Sequence, residues 1–442
     1  MSLFGSKKTK DDGAPSAGYL NLHAHYYDCL ERVKQPGFNQ SALVIEIADA
    51  ILEAAVQERA SDIHVETHGD QIKIRFRVDG ILEDHVSAPA HPSIPLAIRL
   101  RIMAGFDPTP PNPFRSEDGR FNKVVNGRTI QLRASSFPTT DGEKIVLRVL
   151  DQNSAHMELD SVGFGPDDLA VVEKMIKSSY GILFVTGATG SGKTTTLYSM
   201  LSRLNKKEIN IMTLEDPVEY RLSGINQAQI NLRNGFTFDE GLRVILRQDP
   251  NIIMVGEIRD AVTAEIAMRA SLTGHLVLTT LHTVNATSVV DRLFEIGIPS
   301  YLIASATLGC IAQRLTRKLC SYCAQSAAVP LESVLKESFQ WMNKEETEFV
   351  QHCFAQPGAQ FKKPTGCSRC NNRGYVGRLG IFEIMTLNET VRSDILGKSP
   401  SSALRRSAIQ SGMRSLWMDG ALKASQGLTT WEEVTRVAKT TF

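Results

Sequence analysis

The sequence predicts an α/β protein in which a smaller α+β domain precedes a phosphate-loop domain. A glycine-rich turn at 187–192 lies between an apolar strand and an amphipathic helix, which is the arrangement of a phosphate loop. Apolar strands after this turn each end in polar residues and alternate with helical stretches, as in a parallel sheet. Ahead of it, residues 72–78 alternate between apolar and basic side chains, as strands with one buried face do.

The composition is that of an ordinary globular chain. The 442 residues allow two or three domains, and 42% of them are hydrophobic and 22% charged, with a net charge of +1. This balance argues against a strongly basic nucleic-acid surface. Because the chain contains no apolar run of about 18 residues and no apolar signal segment at its start, we expect a cytoplasmic protein that reaches a membrane through a partner.

Changes in composition and pattern predict four segments. The first is expected to be disordered or a short N-terminal extension, the second is the α+β domain, the third is an interdomain linker, and the fourth is the phosphate-loop domain. Their bounds are 1–38, 39–150, 151–163 and 164–442. The last segment includes a zinc element at 314–385 and ends in helices.

The phosphate loop is the strongest motif in the chain. Its glycines let consecutive backbone N–H groups converge on a phosphate, and the helix that follows adds its positive end. Lys193 is expected to reach the β- and γ-phosphates of ATP, and the hydroxyl of Thr194 to bind Mg²⁺. The predicted nucleotide-binding residues are Gly187, Thr189, Gly190, Ser191, Gly192, Lys193, Thr194 and Thr195.

Polar residues follow three of the apolar strands after the loop. Glu257 is predicted to orient the attacking water, because it lies just beyond the strand 252–255. Glu215 and Asp216 end another strand and are candidates for holding Mg²⁺ through water, although the division of work among the three carboxylates stays open. His275 and His282 bracket a third strand and are candidates for sensing the γ-phosphate, with a structural role as the alternative for either one.

Two arginines lie on predicted strands just ahead of the linker. Arg133 and Arg148 are placed so that the first domain could offer a guanidinium to a nucleotide on the next domain or the next subunit. Arginine fingers of this kind supply about 10³–10⁵ in rate in phosphoryl transfer. The alternative for each is an exposed strand arginine in a solvated salt bridge.

Two C-x₂-C pairs predict a structural zinc site. The pairs are separated by 43 residues and consist of Cys320, Cys323, Cys367 and Cys370. Closing such a loop costs about 3 kcal/mol in chain entropy, whereas structural zinc contributes about 10–16 kcal/mol. A redox-active dithiol would explain one pair but not the second.

The remaining candidate ligands lack partners at ligand spacing. Cys29, Cys310 and Cys353 are expected to be packing residues. The histidines His23 and His25 are interpreted as surface or packing residues rather than metal ligands.

Together these motifs resemble the secretion-superfamily ATPases that power type II secretion and type IV pilus assembly in bacteria. The resemblance spans about residues 40–440. The strings that carry it are ASDIHVE (60–66), IRFRVDG (74–80), GEKIVLRVLD (142–151), GATGSGKTTTLY (187–198), TLEDPVEY (213–220), LRQDPNIIMVGEIRD (246–260), TGHLVLTTLHT (273–283), RLTRKLCSYC (314–323), GCSRCNNRGYVGRLGIFEIM (366–385) and LTTWEEVTRV (428–437).

The resemblance implies a fold, an activity and partners. The fold is a RecA-like ATPase domain with a smaller PAS-like α+β domain before it, assembled as a homohexamer with ATP bound between the two domains. The implied catalytic set is Glu257, the aspartate-box pair Glu215 and Asp216, the histidine-box pair His275 and His282, and the arginine-finger positions Arg133 and Arg148.

The same resemblance implies that ATP hydrolysis drives assembly of a pilus or pseudopilus through an inner-membrane platform protein. The chain is then expected at the cytoplasmic side of the inner membrane, as a peripheral component. A four-cysteine zinc element is typical of assembly and secretion motors in this family. The alternative is a DNA-uptake or conjugation-type translocase, against which the near-neutral composition argues.

Overall fold

The computed structural model describes residues 21–108, 116–150 and 157–439. These residues divide into two units. The first contains the described residues up to 150 together with Gly366–Gly374, and the second contains the other described residues. The predicted disorder of residues 1–20 and the 151–156 part of the predicted linker lie outside the described residues.

The first unit is built on a six-stranded antiparallel sheet in the order β3-β2-β1-β6-β5-β4. Its elements are α1 (Leu22–Val33), α2 (Gln40–Gln57), β1 (Ala60–His68), β2 (Gln71–Val78), β3 (Ile81–Pro89), α3 (Leu96–Ala104), β4 (Glu117–Val125), β5 (Arg128–Thr139) and β6 (Gly142–Leu150). Apolar residues of β2 such as Ile74 and Phe76 are fully buried in one core with residues of the three helices. The intervening basic residues of β2 stay partly exposed, which is the alternation that the sequence predicts.

Helix α1 differs from the expectation for residues 1–38. The described part of that stretch contains a helix whose residues Leu22, Tyr26 and Cys29 are buried in the core of the first unit. The Asn21 side chain accepts a hydrogen bond from the backbone N–H of Ala24 at 3.0 Å, which caps the helix. Residues 22–33 therefore form a packed helix rather than a disordered segment, because their apolar positions recur on one helical face.

The second unit is built on a seven-stranded sheet in the order β15-β12-β7-β11-β10-β8-β9. Its strands are β7 (Gly181–Thr186), β8 (Ile211–Glu215), β9 (Asn226–Gln229), β10 (Ile252–Val255), β11 (Leu276–Leu281), β12 (Thr307–Leu319) and β15 (Tyr375–Thr386), with a separate small pair, β13 (Gln325–Ser326) and β14 (Lys362–Lys363). Every pairing in the large sheet is parallel except the antiparallel β12–β15 pair at one edge.

Helices lie on both faces of this sheet. The helices of the second unit are α4 (Pro166–Ile176), α5 (Lys193–Leu204), α6 (Phe238–Ile245), α7 (Ala261–Leu272), α8 (Ser288–Glu295), α9 (Ser300–Ala306), α10 (Leu331–Ser338), α11 (Lys344–Ala355), α12 (Glu389–Leu396), α13 (Ser401–Gln410), α14 (Leu416–Ser425) and α15 (Trp431–Ala438). Along β7, Ile182 and Phe184 belong to one hydrophobic core, and Leu183 and Val185 to the core on the opposite face. A strand buried on both faces is continuously apolar, so the predicted α/β fold is confirmed.

The connections of the parallel strands decide where a ligand site can form. The turns after β7, β8, β10 and β11 all leave the sheet at the carboxyl ends of parallel strands, which is where ligands bind in open α/β sheets. The chain between β12 and β15 instead forms an excursion that carries α10, α11 and both C-x₂-C pairs. Within the described ranges, none of the helices combines the length and the apolar character that a membrane span requires.

Candidate active site and metal centre

The turn between β7 and α5 has the backbone of a phosphate loop. Gly187, Gly190 and Gly192 have φ angles of 150°, 78° and 90°, a region that favours glycine. A Cβ atom on Gly187 would lie only 2.5 Å from the backbone oxygen of Gln313 on β12. Glycine is therefore required at Gly187 both by the backbone angle and by the close approach of a neighbouring strand.

The ammonium group of Lys193 folds back onto this loop. Its Nζ donates to the backbone oxygens of Gly187 at 2.7 Å and Ala188 at 3.2 Å. Burial, together with the nearby charge of Arg314, lowers the pKa of Lys193 to about 8, against an opposing effect of Glu257. When a phosphate binds the loop, the Lys193 ammonium would leave the two neutral carbonyl oxygens for an anionic acceptor. The pKa of Lys193 would therefore rise.

The hydroxyl residues of the loop differ in their exposure. Thr189 and Thr194 are exposed, Thr195 is half-buried and Ser191 is buried. The hydroxyl of Thr196, which the sequence analysis does not assign, donates to the Gln313 side chain at 2.7 Å in the interior. Of the predicted ligands, Thr189 and Thr194 consequently offer the open hydroxyls.

Glu257 lies just past the end of β10 and is bonded from two sides. Its carboxylate accepts a hydrogen bond from Arg259, and its Oε2 lies 3.3 Å from His282 Nε2. Burial alone would raise the pKa of Glu257, but Arg259 and His282 outweigh it, so the pKa lies below its ordinary value. The side chain of Glu257 is 20% exposed. An ionised, partly accessible carboxylate at this edge of the sheet can accept a hydrogen bond from water.

Arg259 connects this carboxylate to the end of β8. Its guanidinium lies 3.4 Å from Asp216 Oδ2, and its Cζ lies 5.9 Å from the centre of the Phe238 ring. Asp216 is one-third exposed. Asp216, Arg259, Glu257 and His282 thus form one charged chain across the carboxyl ends of three neighbouring strands.

Glu215, the residue before Asp216, has a different environment. It is 3% exposed, and it accepts hydrogen bonds from the Thr213 hydroxyl at 2.5 Å, the Gln227 amide at 3.1 Å and the Tyr198 hydroxyl of α5. Burial raises its pKa in spite of these donors. Glu215 therefore ties the loop helix to β8 inside the unit and is not at the open edge with Asp216.

The two predicted histidines lie at opposite ends of β11. His282 follows the strand and approaches Glu257. His275 precedes the strand, and its Nδ1 lies 2.9 Å from the Ala270 carbonyl oxygen at the end of α7. The structure thus brings His282, but not His275, to Glu257, because the two ends of a strand belong to opposite edges of the sheet.

In the first unit, the predicted arginines form a cross-strand pair. Arg133 on β5 lies directly opposite Arg148 on β6. Arg148 Nε donates to Asp62 Oδ1 at 3.2 Å, and the Arg148 side chain is 56% exposed. Two guanidinium groups on one open sheet face are suited to binding an anion, which offsets the repulsion between them.

The four predicted cysteine ligands come together, as expected. Their Sγ atoms all lie within 4.8 Å of one another, and Cys367 and Cys370 are separated by 3.7 Å between Sγ atoms. Tetrahedral zinc with Zn–S bonds of about 2.3 Å places its sulfur ligands about 3.8 Å apart, so this spacing fits the ion. Cys320 and Cys370 are buried, and Cys323 and Cys367 are partly exposed. Four thiolates leave no open coordination position, so the site suits structural zinc.

Two other groups of potential ligands occur in the described residues. In one, His25 and Cys29 of α1 approach Glu46 of α2, but Arg32 donates to both Glu46 oxygens, at 2.7 and 2.9 Å. In the other, Glu58, Glu83 and His85 surround the guanidinium of Arg373. Since an arginine already forms ion pairs with the carboxylates of each group, both are explained as ion-pair networks.

Two arginines of the candidate site were not predicted from the sequence. Arg259 lies inside the string GEIRD but was assigned no role. Arg314, on β12, is buried and donates to the backbone oxygens of Gln313 at 2.9 Å and Val284 at 2.8 Å. Arg259 could have been identified from its position two residues after Glu257. No local sequence pattern places Arg314 beside Lys193.

A cavity of ≈ 620 Å³ opens next to the charged chain. Glu257, Arg259 and His282 line one side of it, and Asp291, Arg292 and Glu295 of α8 line the other. Apolar side chains of Ile258, Leu281 and Val284 also line the cavity, which borders the candidate catalytic carboxylate.

Comparison with known proteins identifies a family. The profile of the family described as "Type II/IV secretion system protein" matches residues 38–436. The chain is 42% identical over 402 residues to the type II secretion system protein E of Pectobacterium carotovorum, covering 91% of this chain and 77% of the relative. It is 41% identical over 398 residues to the type II secretion system ATPase E of Vibrio cholerae, covering 90% and 76%.

Solved structures share the fold at lower sequence identity. The Legionella pneumophila ATPase DotB is similar with a TM-score of 0.63 and 22% identity, covering 92% of this chain and 98% of that one. The pilus retraction motor PilT with bound ADP is similar with a TM-score of 0.56 and 24% identity, covering 88% and 96%. At these identities the likeness shows a common fold.

Proposed function

The chain belongs to the type II/IV secretion system protein family, and on that premise we propose that it hydrolyses ATP to drive a type II secretion or type IV pilus-assembly machine. One observation carries the enzymatic part of the proposal: an ionised, partly accessible Glu257 stands two strands from a phosphate loop in the same parallel sheet. The curated relatives named as protein E and ATPase E of type II secretion support the choice of machine.

The residues of the site have different roles in ATP hydrolysis. The loop from Gly187 to Thr195 binds the phosphates through its backbone N–H groups, and Lys193 leaves the loop carbonyls to bind the β- and γ-phosphates. Glu257 orients the attacking water and accepts its proton. His282 senses the γ-phosphate through its contact with Glu257. Glu215 positions α5, and His275 takes a structural role.

Magnesium fits the oxygen donors at the open edge. Mg²⁺ prefers oxygen ligands and keeps several of its waters. The exposed hydroxyl of Thr194 would supply one ligand, and Asp216 would bind a water held by the ion, since its carboxylate is partly accessible. When bound, the ion neutralises charge that develops on the phosphate oxygens.

The first unit contributes Arg133 and Arg148 to the same reaction. We assign them to the γ-phosphate of ATP bound by the second unit of the same chain or of a neighbouring chain in a homohexamer. The exposed Arg148 directly opposite the partly buried Arg133 on one sheet face supports this assignment. The proposed partner of the assembled chains is an inner-membrane platform protein. This partner would place the chain as a peripheral component at the cytoplasmic face.

Replacement of Arg148 tests the role of the arginines, and the concentration dependence of the wild-type rate tests the assembly. Arg148→Gln is expected to lower the ATPase rate about tenfold, less than a lone arginine finger would, because Arg133 remains. The wild-type rate per chain is expected to rise with protein concentration as subunits assemble. Arg128→Gln, an exposed arginine at the start of β5, is the matched control. A rate that is independent of concentration would contradict a site completed by a neighbouring subunit.

The pH dependence of ATP binding tests Lys193. Because an anionic phosphate binds the protonated ammonium, affinity for MgATP is expected to be full below pH about 8 and to fall up to about tenfold per pH unit above it. Equilibrium binding from about pH 7 to about pH 9.5 measures this. Lys193→Arg keeps its charge throughout the range, so its binding curve is expected to be flat. The same inflection in both proteins would contradict the assignment.

A nucleic-acid translocase is the less favoured alternative. It would require ATPase stimulation by DNA, and the net charge of +1 and the secretion relatives argue against it. Addition of double-stranded and single-stranded DNA to the ATPase assay distinguishes the two functions.

A further inference from the structure

Arg373 lies three residues after the zinc-ligand candidate Cys370 and is bound by two carboxylates. Its Nε donates to the Glu83 oxygens at 3.1 and 2.8 Å, and its terminal nitrogen donates to Glu58. The Glu58 side chain is 4% exposed, and His85 Nδ1 lies 3.5 Å from its Oε1. Glu58, Glu83 and His85 thus form an acidic pocket in the first unit that the Arg373 guanidinium fills.

Backbone N–H groups near Arg373 donate hydrogen bonds to a cysteine sulfur. Cys370 Sγ accepts hydrogen bonds from the N–H groups of Cys367 and Gly374, each at 3.2 Å. Such donors stabilise a thiolate, the form that binds metal. The Gly374 donor reaches the sulfur only because the chain turns sharply between the two residues.

That turn uses unfavourable backbone angles. Asn371 and Asn372 have φ angles of 48° and 57°, a region that side-chain-bearing residues rarely adopt, and Gly374 has a φ angle of 74°. Strained angles persist only where the surroundings hold them. Arg373 stands between Asn372 and Gly374, so its fixed guanidinium holds the middle of this turn.

We propose that Arg373 is a positioning residue which, by filling the acidic pocket, holds the Cys367–Gly374 turn in its metal-binding form and slows the release of zinc. The proposal goes beyond ATP hydrolysis and rests on the four cysteines holding zinc. It makes zinc retention depend on two carboxylates of the first unit that touch neither the metal nor its ligands. By thermodynamic linkage, bound zinc in turn stabilises the Arg373 contacts.

The rate of zinc transfer from the full-length protein to an excess of a chromogenic chelator tests the proposal. The Gly374 N–H that Arg373 helps to place donates to the ligand atom Cys370 Sγ, and such outer-shell partners typically contribute 10–100-fold to metal affinity. Arg373→Gln and Glu83→Gln are each expected to accelerate transfer by about tenfold or more. Glu83 is 29% exposed and its replacement keeps an acceptor, so this variant is expected to fold even where the arginine variant does not.

A double variant and a matched control make the test specific. If both residues act through their contact, Arg373→Gln with Glu83→Gln is expected to release zinc no faster than the quicker single variant. Arg378→Gln removes the same charge from an exposed position of β15, five residues after Arg373, and is expected to retain the wild-type rate. Equal acceleration by Arg378→Gln, or wild-type release from Glu83→Gln, would overturn the role proposed for Arg373. A wild-type chain without zinc would overturn the cysteine site as well, and the ATPase proposal would stand.

Discussion

Glu257→Gln is expected to lower the rate of ATP hydrolysis by about 10²–10⁴-fold while ATP binding remains. The amide has the size of the carboxylate and can still accept a hydrogen bond from Arg259, so the end of β10 keeps its shape. It cannot accept the proton of the attacking water. Because Lys193 and the phosphate loop are unchanged, the loss is expected in turnover and not in the dissociation constant of ATP.

Phosphate release and binding of a fluorescent ATP analogue measure the two quantities separately. Glu265→Gln is a suitable control, since Glu265 is an exposed α7 residue paired with Arg269 one helical turn away. Such surface pairs contribute little to stability, so this variant is expected to retain both rate and binding. If Glu257→Gln hydrolysed ATP at the wild-type rate, Asp216 would become the candidate for orienting the water.

Cys370→Ser is expected to abolish zinc binding and to unfold the excursion between β12 and β15. Cys370 is buried, and its sulfur is one of four that lie within 4.8 Å of one another. Structural zinc contributes about 10–16 kcal/mol, far more than the ion-free loop regains by hydrogen bonding. The zinc content is expected to fall from about one ion to none per chain.

Metal analysis of the purified variant and limited proteolysis of residues 320–374 measure these effects. Cys353→Ala is the matched control, because Cys353 is a buried cysteine of the same excursion that lies outside the four-cysteine group. The Cys353→Ala variant is expected to lose some packing energy but to retain the zinc ion. Full zinc content in Cys370→Ser would contradict the four-cysteine site.

Local patterns predicted two strands of the second unit closely. The strands at 252–255 and 276–281 have the predicted bounds, because a strand buried on both faces requires an uninterrupted apolar run. Helix α1 was not predicted, since only three buried residues mark its inner face next to a polar tail. Fold class and family are confirmed by the topology and by the comparisons.

Side-chain roles at the strand ends were harder to predict. Glu215 and Asp216 are neighbours in sequence, yet one is buried under α5 and the other is partly exposed beside Arg259. The spacing of a motif does not reveal this difference, because it depends on Tyr198 of α5 packing on Glu215 and on Arg259 approaching Asp216, and both of these residues are distant in sequence. The roles proposed for these residues in hydrolysis stay predictions.

The sequence by itself determined the phosphate loop, the apolar strands and the two C-x₂-C pairs. These features depend on backbone freedom, periodicity and short spacings, all of which are properties of neighbouring residues in the chain. Only the tertiary structure decided that His282 and not His275 meets Glu257, that burial and the nearby charge of Arg314 lower the pKa of Lys193, and that Arg373 fills an acidic pocket. These contacts join residues that are far apart in the chain, and the strand order and burial that create them are set by the whole fold.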